Sequence, residues 1–159
     1  MVKFTREQSK GMNQMVVENN KIEKICCFYE SDFHLEMILV PYINAHINEN
    51  IVIITENDFN ETVGILVSKT NLKKENKEKI LNLGWNGKKE NNIEDKSIII
   101  IIGNKKYIEN KNDEIRERNN EDITIIDCYN FEDIKQNMDN IINDYSKNLN
   151  TTGFGNIEK

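Results

Sequence analysis

Proline occurs once in these 159 residues, tryptophan once, histidine twice and cysteine three times. Each scarcity removes a class of chemistry. The cysteines, Cys26, Cys27 and Cys128, are odd in number with two adjacent, so they make no disulfide framework, and no Cys-x-x-Cys pair offers a metal site. His34 and His46 stand twelve positions apart, roughly three helical turns, so they form no paired metal site. No GxGxxG follows the first apolar run, and neither GxxxxGKS nor GxxxxGKT occurs anywhere. That argues against an ordinary nucleotide hydrolase or nicotinamide enzyme, and no cofactor is expected. The N-terminal Met1–Lys10 lacks the apolar stretch of a signal peptide, and no segment reaches the length of a membrane span. A cytoplasmic protein is expected. Positive charge is not concentrated either. The net charge is −6, and the lysines alternate with glutamates, whereas a nucleic-acid binder needs a basic face to neutralise phosphates.

What is present is a run of five isoleucines, Ile98 to Ile102, closed by Gly103-Asn104. A strand with one wet face alternates apolar and polar residues; a strand apolar on both faces belongs in a sheet covered on both sides, usually a parallel one. Three other short apolar runs, Ile25 to Tyr29, Asn50 to Thr55 and Ile123 to Cys128, are each followed by a helical pattern. The first helix carries Leu35, Ile38, Leu39, Tyr42 and Ile43 at helical spacing, with Asp32 as its cap and Pro41 inside it, a residue that should bend it or end its first half. A second helix is expected over Phe59 to Thr70, a third over Lys105 to Asn119 and a long last one over Phe131 to Leu149, with Ile134, Met138, Ile141, Ile142 and Tyr145 on one stripe. The expected fold is a three-layer α/β sandwich with a mainly parallel central sheet of about four strands, the isoleucine strand central. Residues 1–149 read as a single domain, 1–20 as an N-terminal helix or arm and 150–159 as a flexible tail.

Ligands in such sheets sit beyond the carboxyl ends of the strands. That rule picks Tyr29 to Asp32 after the first strand, Thr55 to Asp58 after the second, Gly103-Asn104 after the third and Asp127 to Asn130 after the fourth. From these the selected site residues are Tyr29, Glu30, Ser31, Asp32, Thr55, Glu56, Asn57, Gly103, Asn104 and Asp127. Tyr29 can wall a pocket and donate a hydrogen bond there, or lie in the core with its hydroxyl at the surface. Glu30 and Glu56 can hold a cation or an amine between them, or be solvated. Cys128 is either a nucleophile near a strand end or a packed thiol, and the second reading is the commoner for cysteine in an apolar strand. His34 can reach over the first strand or simply cap its helix. Trp85, between Gly84 and Gly87, reads as a lid, a partner contact or a ring packed over the sheet edge.

The segment Ile22 to Trp85 resembles the MEDS sensory domain, the family named for methanogens, methylotrophs and the dichloromethane regulator. Ile25-Cys26-Cys27-Phe28-Tyr29-Glu30-Ser31 carries the likeness, being similar to that family's strand with a terminal Tyr-Glu-Ser or Tyr-Glu-Asp. A helix over Leu35 to Ile47, a strand over Asn50 to Thr55 and a helix over Glu61 to Ser68 follow in the same order. The chain departs from the pattern at Lys24, where the family often has histidine, and at His46-Ile47 and Asn48-Glu49, where it favours Gly-Leu and Gly-Glu. The resemblance implies a RecA-like core without the phosphate loop, serving as a non-enzymatic sensor of a small ligand. With no output domain in this sequence, it implies signalling through a separate kinase or transcription regulator, with a second copy of the chain as a further candidate partner. The alternative is a small nucleotide-binding protein or enzyme using the same cleft.

Overall fold

A computed structural model describes residues 21–157. The expected N-terminal helix or arm lies outside them. In chain order the elements are β1 (Ile22–Tyr29), α1 (Asp32–Ala45), β2 (Ile51–Thr55), α2 (Asn60–Ser68), α3 (Lys74–Leu81), β3 (Ile98–Ile102), α4 (Lys105–Glu117), β4 (Ile123–Asn130), α5 (Phe131–Ile134), α6 (Met138–Ile142), β5 (Lys147–Asn150) and β6 (Gly153–Asn156). They build one six-stranded sheet in the order β2-β3-β4-β1-β5-β6. All neighbours pair in parallel except β5 and β6, which are antiparallel.

The α/β class and the mainly parallel sheet agree with the sequence pattern, but the sheet has six strands rather than about four. The two additional strands come from residues assigned to the end of the last helix and to the tail. Asn137 before α6 and Asn143 and Asp144 after it fit the shortened helices, because such side chains compete for backbone hydrogen bonds and favour turns. Asn150 then closes the β5–β6 hairpin, its side-chain oxygen accepting from the Thr152 N–H at 2.9 Å.

The helices divide between the two faces. Leu35, Ile38, Leu39 and Ile43 of α1, Val63 and Val67 of α2, and Ile80 of α3 pack with Ile98, Ile100 and Ile102. Ile108 and Ile115 of α4, Ile134 of α5 and Ile141 of α6 pack on the other side with Ile99 and Ile101. Both faces of the isoleucine strand are therefore dry, and each side chain contributes about 1.5–3 kcal/mol by burial. Its place is second from the β2 edge; β4 and β1 form the middle pair.

Three local expectations change. Ser31, not Asp32, caps α1, accepting from the His34 N–H at 3.1 Å, and Asp32 is the first helical residue. The helix continues past Pro41 to Ala45. Pro41 itself is exposed, while buried Leu39, Tyr42 and Ile43 on either side hold that turn against the sheet. Trp85 is neither lid nor partner contact: it is fully buried and donates its indole N–H to the Ile80 carbonyl at 2.7 Å. Among the described residues no helix is long and apolar enough to cross a membrane.

Candidate functional site

At the carboxyl edge the ends of β2 and β3 are tied together. Glu56 Oε1 accepts the Asn104 N–H at 2.9 Å, and Asn104 Oδ1 caps α4 by accepting the Tyr107 N–H at 2.8 Å. Gly103 permits this closeness, since a Cβ there would meet the Tyr107 ring at 2.5 Å and Glu56 Oε1 at 3.0 Å. Thr55 bonds Asn57 through both its hydroxyl proton and its oxygen. Tyr29 is buried in the core beneath α1, and its hydroxyl is held well above the usual tyrosine range by burial. His34 Nδ1 accepts the exposed Glu30 N–H at 3.0 Å, which ties that ring nitrogen to the β1–α1 turn. Glu30 and Glu56 form no pair. β3 and β4 separate their strands, so they stand about 14 Å apart at three strand spacings.

Asp127 differs from the other nine. The fourth strand continues to Asn130, so Asp127 lies in mid-strand rather than at its end, fully buried on the α4–α6 face beside Cys26 and Ile101. A carboxylate there requires partners, and three side chains supply them, with Tyr129 behind the third. Lys24 Nζ, from β1, donates to Asp127 Oδ2 at 2.7 Å and to Asn112 Oδ1. Asn112 Nδ2 donates to Asp127 Oδ1 at 3.0 Å and to the Ile108 carbonyl at 2.9 Å. The Tyr145 hydroxyl donates to Asp127 Oδ2 at 2.6 Å and lies 2.6 Å from the Tyr129 hydroxyl. The proton order follows from this. A carboxylate only accepts, so the Tyr145 proton points to Asp127 and Tyr129 donates to Tyr145. Burial, reinforced by the Asp127 charge, holds the Tyr145 hydroxyl far above the usual tyrosine range.

This network floors a cavity of about 410 Å³ between α4 and α6, a volume typical of small-molecule sites. Its wall on the α4 side includes Lys105, Glu109, Asn112, Asp113 and Arg116, a run about 16 Å long at the helical rise. Asn140, Ile141, Asp144 and Tyr145 form the opposite wall. The gap exists because α5 and α6 are only four and five residues long and cover little of the sheet. Of the ten residues selected from the sequence, only Asp127 lines it.

Cysteine chemistry finds no support on either face. All three thiols are buried. Burial, with Cys27 adding to it, raises Cys26 to about 12 and lifts Cys128 well above its ordinary value. No cluster of His, Cys, Asp and Glu among the described residues can hold a metal ion.

Lys24, Asn112 and Tyr145 lie outside the segments picked by the strand-end rule, and Tyr129 lies inside one of them but was not selected. A signal for them did exist. Asp127 interrupts Ile125-Ile126-Asp127-Cys128, Lys24 precedes Ile25-Cys26-Cys27, and Asn112 falls between Ile108 and Ile115 on the buried stripe of α4. Polar residues at apolar positions in three elements imply that they meet. Comparison with protein-family models, with curated proteins and with solved structures found no match.

Proposed function

We propose that this chain is a cytoplasmic sensory or regulatory module that takes a small polar ligand between α4 and α6 and reports its presence to a signalling partner without chemical turnover. The observation that carries the reading is the ligand-sized cavity floored by a buried, hydrogen-bonded ion pair. Asp127 accepts three hydrogen bonds, which suits a rigid recognition floor better than a general base. The MEDS resemblance over Ile22 to Trp85 supports a sensor, and Glu30-Ser31 after β1 offers a helix cap instead of a glycine phosphate cradle. A route for the signal is also present. α6 is a five-residue helix, too short to be stable by itself, so a ligand touching Asn140 or Asp144 would order a marginal element whose outer surface a kinase or transcription regulator could read.

Thermal-shift screening of nucleotides, metal ions and small organic metabolites tests this in the parent protein and in Asn140→Trp, which fills the mouth of the cavity from an exposed position. Compounds that stabilise the parent and lose their effect in the variant are expected. Stabilisers that survive Asn140→Trp but vanish in Tyr29→Phe or Glu30→Gln would move the site to the carboxyl edge. Nucleotide turnover abolished by Glu30→Gln would replace the sensor with an enzyme.

A further inference from the structure

We propose that the ligand of the α4–α6 cavity carries a protonated amine together with a hydroxyl or similar hydrogen-bonding group; this rests on the ligand-binding reading above and specifies its chemistry. The argument is a balance of charges and hydrogen bonds. Three cations line the cavity, and each already has a carboxylate partner: Lys24 with Asp127 at 2.7 Å, Lys105 with Glu109 at 2.8 Å, and Arg116 with Asp113 at 3.5 Å. On the fourth acidic residue of the wall, Asp144, the backbone N–H bonds the Ile141 carbonyl, but the side-chain carboxylate has no hydrogen bond or ion pair among the described residues. An anionic ligand would have to share a cation that already has a carboxylate partner and would add to the unpaired charge of Asp144. An ammonium group completes the set without breaking any pair.

The floor specifies the remainder. Lys24 uses two ammonium N–H groups, on Asn112 and Asp127, leaving one of its three to donate. The Tyr129 hydroxyl gives its proton to Tyr145, leaving its oxygen able to accept. A hydroxyl serves both groups at once, as donor to Tyr129 and acceptor from Lys24. Ile108 and Ile141 contribute apolar surface to the cavity lining, suited to a short methylene spacer. The ligand class is therefore a small amino alcohol or a polyamine-like molecule with a polar end, its amine at Asp144 and its hydroxyl at the floor.

Three probes of equal length separate the alternatives: aminobutanol, butanediol and hydroxybutyrate, sharing one hydroxyl end and differing in the charge of the other. Each is titrated into the full-length protein at fixed ionic strength and followed by amide chemical-shift changes. Aminobutanol is expected to shift residues of α4, α6 and the Lys24 segment and to bind at least several-fold more tightly than the other two. Asp144→Asn, an exposed change, should weaken it roughly fivefold, the upper end for one exposed ion pair, and leave butanediol unchanged. Equal binding of amine and diol, or tighter binding of hydroxybutyrate, overturns the ligand class while leaving a cavity that binds ligands. If none of the three probes perturbs the cavity, the ligand class fails as well. The ligand-binding reading itself then stands or falls on whether any compound of any charge is lost in Asn140→Trp.

Discussion

Each face of the sheet contains a fully buried carboxyl group, and the two are kept by opposite means. Asp127, under α4 and α6, has both oxygens hydrogen-bonded and an ammonium at 2.7 Å. Glu36, between α1 and α2, accepts one bond, from the Thr62 hydroxyl to Oε2, while Oε1 has no partner. Burial raises the Glu36 pKa, and the Thr62 bond opposes that rise only in part. Thr62 also lies 3.3 Å from the Phe59 carbonyl, and it has a single proton. A neutral Glu36 resolves the competition by donating its own proton to Thr62, which then donates to Phe59. One face thus meets a buried acid with a counter-charge, the other with surroundings that favour the uncharged form. The first leaves a polar floor that can recognise something; the second leaves a closed core.

The comparison breaks most severely if a charge is placed on the α1–α3 side with neither remedy. Ile100→Asp puts a carboxylate there with no partner, at a cost of several kcal/mol. Soluble expression and cooperative urea unfolding of this variant are expected to be lost. Lys24→Met comes next. It removes the counter-charge from Asp127 and should cost about 3 kcal/mol in urea denaturation. Adding Asp127→Asn to it should recover part of that loss; strict additivity of the two changes would show that the pair is not coupled.

Glu36→Gln tests the other remedy and has a definite sign. The folded-state pKa of Glu36 is raised above its ordinary 4.5. Its contribution to stability is therefore complete below the unfolded pKa and is lost as pH rises through the folded value. The parent should lose stability relative to Glu36→Gln as pH climbs from about 4.5 toward neutrality, with the glutamine variant ahead by on the order of 1 kcal/mol at neutral pH. Urea midpoints for both proteins across that range measure it, and a difference independent of pH would mean that Glu36 remains charged. The smallest effect is expected from Tyr129→Phe, about 1 kcal/mol, because Tyr145 keeps its bond to Asp127. A loss as large as that of Lys24→Met would make Tyr129 an essential part of the charged network.

The fold was legible wherever hydrophobic periodicity alone determines structure. The four parallel strands and the helices α1, α2 and α4 follow from apolar runs and stripes, because burial on two faces or on one leaves different patterns. Residues 131–156 misled for a physical reason. Ile134, Met138, Ile141, Ile142 and Tyr145 have helical spacing, yet two short helices satisfy the same contacts, and asparagine-rich breaks interrupt them. The candidate site was less legible than the fold because it depends on strand order. Lys24 and Asp127 lie 103 positions apart and meet only because β1 pairs with β4. For the same reason Glu30 and Glu56, which look like a pair in sequence, are separated by two strands.

The isoleucine strand has a consequence for how the protein must be made. Five consecutive β-branched apolar residues without charge or proline are a strong cross-β segment once removed from their sheet. In the folded protein β2 and β4 saturate both of its edges. During synthesis β2 is already available, but β4 begins at Ile123, some twenty residues after Ile102. For that interval one edge of the run is open to pairing with another chain. The sequence surrounds it with Lys96 on one side and Lys105-Lys106 on the other, positive charges that oppose stacking of identical strands. Replacing these lysines with serine should leave the native contacts of β3 nearly unchanged and yet increase aggregation during refolding. The hazard belongs to the unfinished chain, and the gatekeepers act before the fold exists.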